Sequence, residues 1–409
     1  MPAYWRQGCW PWAIPGCTKN LKHTRHHWKR KWRRCRMTSI RLGGTIGIIG
    51  GGQLGKMLAQ SALRMGYRVA ILDPSEDAPA RSTCHTFIHA AFSDFDALKQ
   101  LCEQSDVVTY EFENIDAHIL RTLVNDYHVP QGAETVLTLQ NRDLEKTAIR
   151  NSGADVVPYE KLAGKAQLEQ FIESHQLPVI VKTSTGGYDG KGQVLIETEA
   201  ELDTLDIPFD EAEWVVEKYL QLEREVSLTV ARSTSGQVVY FPLQENLHKD
   251  QILYRTIAPA RVDYMEEAKT AVDKIMAAMH FVGVFTVECF IDQEGKLYVN
   301  EIAPRPHNSA HHTIESCSIS QFDAHILAIL DHPMPEVHQH QPAVMMNLLG
   351  DDLDRLEEKL FTEPDWRVHV YGKTGRKPAR KMGHVTVLTD DLDTTLDQLE
   401  QKFIKGVEV

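Results

Sequence analysis

No run of 18 or more apolar residues occurs anywhere in the chain, which excludes a transmembrane helix. Paired CxxC cysteines are missing as well. From Met37 onward only Cys84, Cys102, Cys289 and Cys317 remain, widely scattered. That usage argues against a disulfide framework or a zinc site and reads as reduced, buried thiols of a cytoplasmic protein. The first 36 residues contain no Asp or Glu, against ten Lys or Arg and five of the seven Trp. They lack the apolar core of a secretory signal and carry too many Trp and Pro for a transit peptide. We read residues 1–36 as an unstructured basic leader, in preference to a nucleic-acid contact, with Met37 as a natural beginning. Beyond the leader 34 basic residues stand against 57 acidic ones, a formal charge of −23 against −13 for the whole chain. So acidic a body repels nucleic acid and anionic membranes.

What the sequence does contain is organised around Pro178–Gln193, PVIVKTSTGGYDGKGQ. A β-forming apolar run delivers Lys182 to its end. Gly186, Gly187, Gly190 and Gly192 then leave backbone N–H groups open to a polyphosphate. The stretch has no Gly-Lys-Ser/Thr and QVLIE after it reads as a strand, so it is not a Walker loop. A glycine-rich flap between antiparallel strands is the expectation, and a surface hairpin with an incidental lysine is the plain alternative.

Upstream, Thr45–Ile49 reads as a strand, Gly50–Gly55 as a glycine-rich turn and KMLAQSALRMG as a helix. Tyr67–Leu72 is a second strand ending at Asp73. This is the dinucleotide fingerprint, but amides at a helix N-terminus hold any phosphate ester. No second mononucleotide half is evident, so a phosphorylated substrate is preferred to NAD. Asp106–Tyr110 is another strand, with Glu111, Glu113 and Asn114 just past its end, where open α/β sheets bind ligands. An acidic cap for the next helix competes for Asn114 and Asp116. In the helix NRDLEKTAIR, Arg142 and Lys146 share a face, and a plainly solvated helix is the alternative. A boundary is expected near Gln140, where βαβ units give way to hairpins. EWVVEKYL (Glu213–Leu220) and Glu225–Val230 read as strands able to frame a purine through their backbone. His248 follows in a polar run.

The second strong signal is the hairpin Val282–Pro304. A two-residue turn at Glu294-Gly295 would set Glu288 opposite Glu301. Like charges so placed call for a cation, and Mg2+ or Mn2+ with Asn300 as a further oxygen donor is the economical choice. A register slip of one would separate the pair. Arg305, between Pro304 and Pro306, is held as an anion ligand would be. After a linker from Asp331, short strands and a basic cluster, Arg376, Lys377, Arg380 and Lys381, close the chain.

Taken in order, GGGQLGKM, TYEFENI, NRDLEKT, IVKTSTGGYDGKGQ, VVEKYL, NLHKD, YVNEIAPRPHNS and RKMGH resemble the N5-carboxyaminoimidazole ribonucleotide synthetase family of ATP-grasp enzymes. The resemblance covers Thr45 to the C-terminus. It implies an α/β ATP-grasp fold of three domains: a doubly wound parallel sheet (37–140), a central ATP-grasp α+β domain (141–331) and a small β-rich C-terminal domain (332–409). It also implies carboxylation of 5-aminoimidazole ribonucleotide from ATP and bicarbonate through carboxyphosphate, in a cytoplasmic homodimer of purine synthesis. Lys182, Arg142 and Lys146 would hold the ATP phosphates under Gly187, Tyr188, Asp189, Gly190, Lys191, Gly192 and Gln193. Glu217, Lys218, Tyr219 and Leu220 would frame adenine, with Glu225 at the ribose, His248 also in the nucleotide site, and Glu288, Asn300 and Glu301 at the metal. Arg305 would steady carboxyphosphate or the substrate phosphate. Gln53, Leu54, Glu111, Asn114, Tyr188, Asp189, Lys373, Arg380 and Lys381 would surround the ribonucleotide. Another ATP-grasp ligase, such as a formate-dependent phosphoribosylglycinamide formyltransferase, is the near alternative. An NAD-dependent dehydrogenase or a nucleotide-binding regulator is the distant one.

Overall fold

The computed structural model describes residues 40–186, 192–204 and 207–403. The leader expectation (1–36) and the flap-tip residues Gly187, Tyr188, Asp189, Gly190 and Lys191 lie outside the described residues.

Four short apolar runs pair in parallel in the order β3-β2-β1-β4: β1 Thr45–Ile49, β2 Arg68–Asp73, β3 Thr86–His89 and β4 Val107–Tyr110. The side chains of β1, β2 and β4 are covered on both faces, as a parallel sheet demands, while the edge strand β3 is half-open; Ile46, Ile48, Ile71 and Leu72 are wholly buried. Each such side chain contributes about 1.5–3 kcal/mol. The Gln53–Arg64 helix lays Leu54, Met57, Leu58 and Ala62 against this sheet and stops before Gly66 at φ +84°. Asp116 caps the Ala117–Leu123 helix by accepting from His118 and Ile119 N–H, both at 3.0 Å. Asn141 caps the Arg142–Ser152 helix in the same way.

The second sheet, in the order β5-β8-β6-β7, is antiparallel: β5 Tyr159–Leu162, β6 Val179–Thr183, β7 Gln193–Ile196 and β8 Trp214–Lys218. Lys182 pairs with Gln193 across the β6–β7 hairpin, so the glycine-rich stretch joins two antiparallel strands. The remaining strands make one antiparallel sheet: β9 Leu222–Arg232, β10 Val238–Tyr240, β11 Gln244–Lys249, β12 Ile252–Ala258, β13 Gly283–Asp292, β14 Leu297–Ala303, β15 Ala343–Leu349, β16 Trp366–Val370 and β17 Lys381–Leu388. The C-terminal strands do not form a sheet of their own. β15 pairs with β12 from Ala343↔Ala258 to Met346↔Arg255, so they extend the sheet that carries β13 and β14.

Candidate functional site

The β13–β14 hairpin differs from expectation twice, and the two differences cancel. Its loop is three residues, Gln293–Gly295, closed by the Asp292 N–H donating to Lys296 O at 3.1 Å, with Gly295 at φ +79°. Ile291 consequently faces Leu297, one residue off the two-residue-turn register. Asn300 then bulges out of β14: Cys289 faces Val299, yet Glu288 faces Glu301. A bulge re-aims the side chains next to it. Without it Asn300 would stand opposite Glu288 and Glu301 would turn to the other side of the sheet.

This corner is electrostatically strained. Glu288 is nearly buried, and burial followed by the charge of Glu301 pushes its carboxyl up to about 7. His307 Nε2 lies 3.0 Å from Glu288 Oε1, but burial holds that imidazole well below its ordinary value, so it supplies little positive charge. Asn300 Oδ1 is buried without a hydrogen-bond partner. Two carboxylates and an idle amide oxygen are a hard-cation donor set. Among the described residues no group of three or more His, Cys, Asp or Glu converges as a complete metal cage. A Mg2+ that completes its shell with phosphate oxygens fits that set.

Facing it is a buried cluster of opposite sign. Lys182 Nζ, from the end of β6, lies 2.9 Å from Glu217 Oε2, and Lys146 Nζ lies 3.2 Å from the same oxygen. Lys146 is 1% exposed, so its helix is not the solvated one that its charges suggested. Burial would raise the Glu217 carboxyl, but Lys146 and then Lys182 outweigh it and hold the group at about 2. Lys182 is lowered by burial in spite of its partner. One carboxylate serving two ammoniums leaves a surplus positive charge suited to a polyphosphate. Lys146 Nζ also reaches Asn300 O at 3.5 Å, tying this cluster to the bulge. Arg142 Nη1 approaches Glu301 Oε2 at 3.9 Å, and Glu145 Oε1 accepts the Ile302 N–H at 2.7 Å.

Other expected residues divide. Glu225 and His248 meet at 2.5 Å. The Glu217 side chain belongs to the lysine cluster, so only its backbone is open to a purine. Lys218 Nζ donates to Gln176 O at 3.1 Å, Tyr219 is exposed and Leu220 is half-buried. Gly192, at φ +75°, and Gln193 form the near edge of the flap. On the ribonucleotide side, Leu54 is a core side chain, 6% exposed, and only its backbone is available. Gln53 is half-buried and Asn114 exposed. Lys56 Nζ donates to Tyr371 O at 3.0 Å, bringing this helix beside Lys373, whose ammonium lies 5.5 Å from the Tyr371 ring centre. Lys381 lies within the field of Glu288 and His248. Arg380 instead closes its own loop on Thr374 and Gly375 carbonyls.

The glycine-rich turn is not an open phosphate cradle. Glu111 accepts the Gly52 N–H at 2.5 Å and the Gly55 N–H, while Asp73 accepts the Gly51 N–H at 2.7 Å. Burial pushes the Glu111 carboxyl up to about 7 against those amides. With its amides held and no second mononucleotide half in the four-stranded parallel sheet, the turn does not support the dinucleotide reading. Glu145 and His307 were missed in the sequence. Their only local signal is a charge or imidazole lodged among buried neighbours.

The two antiparallel sheets, the flap hairpin and a lysine cluster facing a carboxylate pair define an ATP-dependent ligase of the ATP-grasp class. Family matches run in the same order: the ribonucleotide synthetase preATP-grasp domain over residues 44–140, the ATP-grasp domain over 147–322 and the phosphoribosylaminoimidazole carboxylase C-terminal domain over 343–398. The N5-carboxyaminoimidazole ribonucleotide synthase of Staphylococcus aureus (strain N315) is 53% identical over 365 residues, 89% of this chain and 98% of that one. The crystal structure of the S. aureus N5-carboxyaminoimidazole synthetase complexed with ADP aligns at TM-score 0.88 and 52% identity, covering 90% of this chain and 99% of that one. The Aspergillus clavatus N5-carboxyaminoimidazole synthase with ADP and 5-aminoimidazole ribonucleotide aligns at TM-score 0.80 and 30% identity, covering 88% and 98%. The chain belongs to the N5-carboxyaminoimidazole ribonucleotide synthase family.

Proposed function

We propose that this protein carboxylates 5-aminoimidazole ribonucleotide on its exocyclic amine, consuming ATP and bicarbonate, in purine biosynthesis. The observation that carries the reading is the Lys146–Glu217–Lys182 cluster tied through Asn300 to the Glu288–Glu301 pair. Lys182 and Lys146 neutralise phosphate oxygens, and Arg142 assists. Glu225 and His248 take the ribose. Bicarbonate attacks the γ-phosphorus, ADP leaves, and carboxyphosphate releases CO2 and phosphate; the amine captures CO2 and loses a proton. Such phosphoryl transfer asks the protein for positioning and charge neutralisation. Glu288, Glu301 and Asn300 would hold Mg2+, which when bound neutralises charge on the phosphates. Arg305 steadies the acyl phosphate or the substrate phosphate, and Gln53, Glu111, Lys373 and Lys381 line the ribonucleotide side. A closed pocket matters because carboxyphosphate hydrolyses readily.

We further propose boundaries near residues 140 and 331, a homodimer and a cytoplasmic location. Free, mostly buried cysteines support the last of these, and among the described residues no helix is long and apolar enough to cross a membrane. The test is coupled ADP release with each component omitted in turn. Dependence on both bicarbonate and aminoimidazole ribonucleotide is expected, and dependence on formate in place of bicarbonate would overturn the assignment.

A further inference from the structure

The segment after β4 makes two contacts that the mechanism above does not use together. Glu111 holds the Gly52 and Gly55 amides of the glycine-rich turn, and two residues on, Glu113 grips Arg305. The grip is bidentate: Arg305 Nε donates to Glu113 Oε2 and Nη2 to Oε1, the latter at 3.0 Å. Such a fork fixes the guanidinium plane as well as its place. Arg305 Nη1 also donates to Pro306 O at 3.3 Å. Three of the five guanidinium N–H groups are therefore engaged, and two remain for a ligand.

The strap itself is anchored. Gln140 Nε2 donates to Glu113 O at 2.5 Å and to Ile115 O at 2.7 Å. Phe112 packs on Phe92 with ring centres 4.5 Å apart. At the other end, Pro304 and Pro306 flank Arg305, and Gln131 Nε2 donates to Pro304 O at 3.2 Å. Both partners of the pair are thus set by backbone fixed elsewhere, one beside the ribonucleotide-side turn and the other just past Glu301 of β14. Full neutralisation by Glu113 weakens Arg305 as a bulk anion trap. A fixed orientation with two aimed donors suits an anion that must form, be held and break down.

We infer that Glu113 is a positioning residue for Arg305, and that the Glu111–Glu113 strap sets Arg305 in register with the glycine-rich turn. The inference rests on the ligase reading above. Its test is a double-mutant cycle on ADP release with Glu113→Gln, Arg305→Lys and the pair. Glu113→Gln is expected to lower kcat about 10- to 100-fold, the span of a charge-assisted hydrogen bond, with the KM for ATP unchanged because Glu113 does not touch the lysine cluster. Glu113→Asp, which keeps the charge, is expected to recover most of the loss. In the Arg305→Lys background neither Glu113 variant should cost anything further. Additive losses, or turnover of Glu113→Gln within about twofold of wild type, would overturn the inference. Should Glu113→Gln melt early, Glu113→Asp in the two backgrounds decides the same point. The cycle is read on whichever ADP-releasing reaction the wild type performs, so an acceptor other than aminoimidazole ribonucleotide would defeat the functional reading and leave this inference to its own result.

Discussion

Glu217→Gln is the perturbation that the site makes most quantitative. The carboxylate is 2% exposed and serves two ammoniums. Its folded pKa of about 2, against an ordinary 4.5, corresponds to about 3 kcal/mol of stability at pH 7. Breaking a buried ion pair by removing one partner costs about 3–5 kcal/mol, a compatible range. The sign follows from the depressed pKa: between about pH 2 and 4.5 the unfolded chain binds the proton first. Stability from this group is therefore complete above 4.5 and lost as pH falls toward 2. The assay is urea unfolding of wild type and Glu217→Gln at pH 7 and pH 3.5. Wild type should be the more stable by about 3 kcal/mol at pH 7, and the gap should narrow by about 1.4 kcal/mol at pH 3.5. Equal stabilities at pH 7, or a gap that ignores pH, would refute the shared-carboxylate account.

Lys182→Ala should lower ADP release by about 100-fold or more while the far-ultraviolet circular dichroism stays native. Near-normal activity would contradict its role. Asn300→Ala keeps the bulge but removes an oxygen donor, so it should raise the Mg2+ requirement of turnover, read by titration; an unchanged requirement would argue against Asn300 as a ligand. Gly192→Ala places a Cβ 2.7 Å from Thr183 Oγ1 at a φ of +75°, and thermal melting should show a loss of about 1–2 kcal/mol. Removing residues 1–36 should leave turnover essentially unchanged, and a severe loss would show that the leader belongs to the working enzyme.

Periodicity and composition made much of the fold legible. Thr45–Ile49 is a strand with the expected bounds, because an apolar run between turn residues has few other ways to be covered. Lys182 at a strand end and the antiparallel flap hairpin were legible for the same reason. Asn141 was read into a helix that it instead caps, since capping depends on one side-chain rotation that a window of residues does not show. The Glu288–Glu301 pairing was reached from a turn one residue too short, and only the Asn300 bulge makes it hold.

The order of motifs along the chain determined the class of chemistry: an ammonium, bare amides and two carboxylates at these spacings have a phosphate and a hard cation as their natural complement. Which partner each charged group takes was settled only by tertiary contacts. Glu217 went to two lysines from separate elements, Glu111 filled the amides that looked free, and Glu113 closed on an arginine far along the chain. Hydrophobic spacing is local and repeats within a strand or helix, so it survives in the sequence. A buried charge is stabilised by whichever opposite charge the fold brings within about 3 Å, and that distance exists only once the sheets have packed.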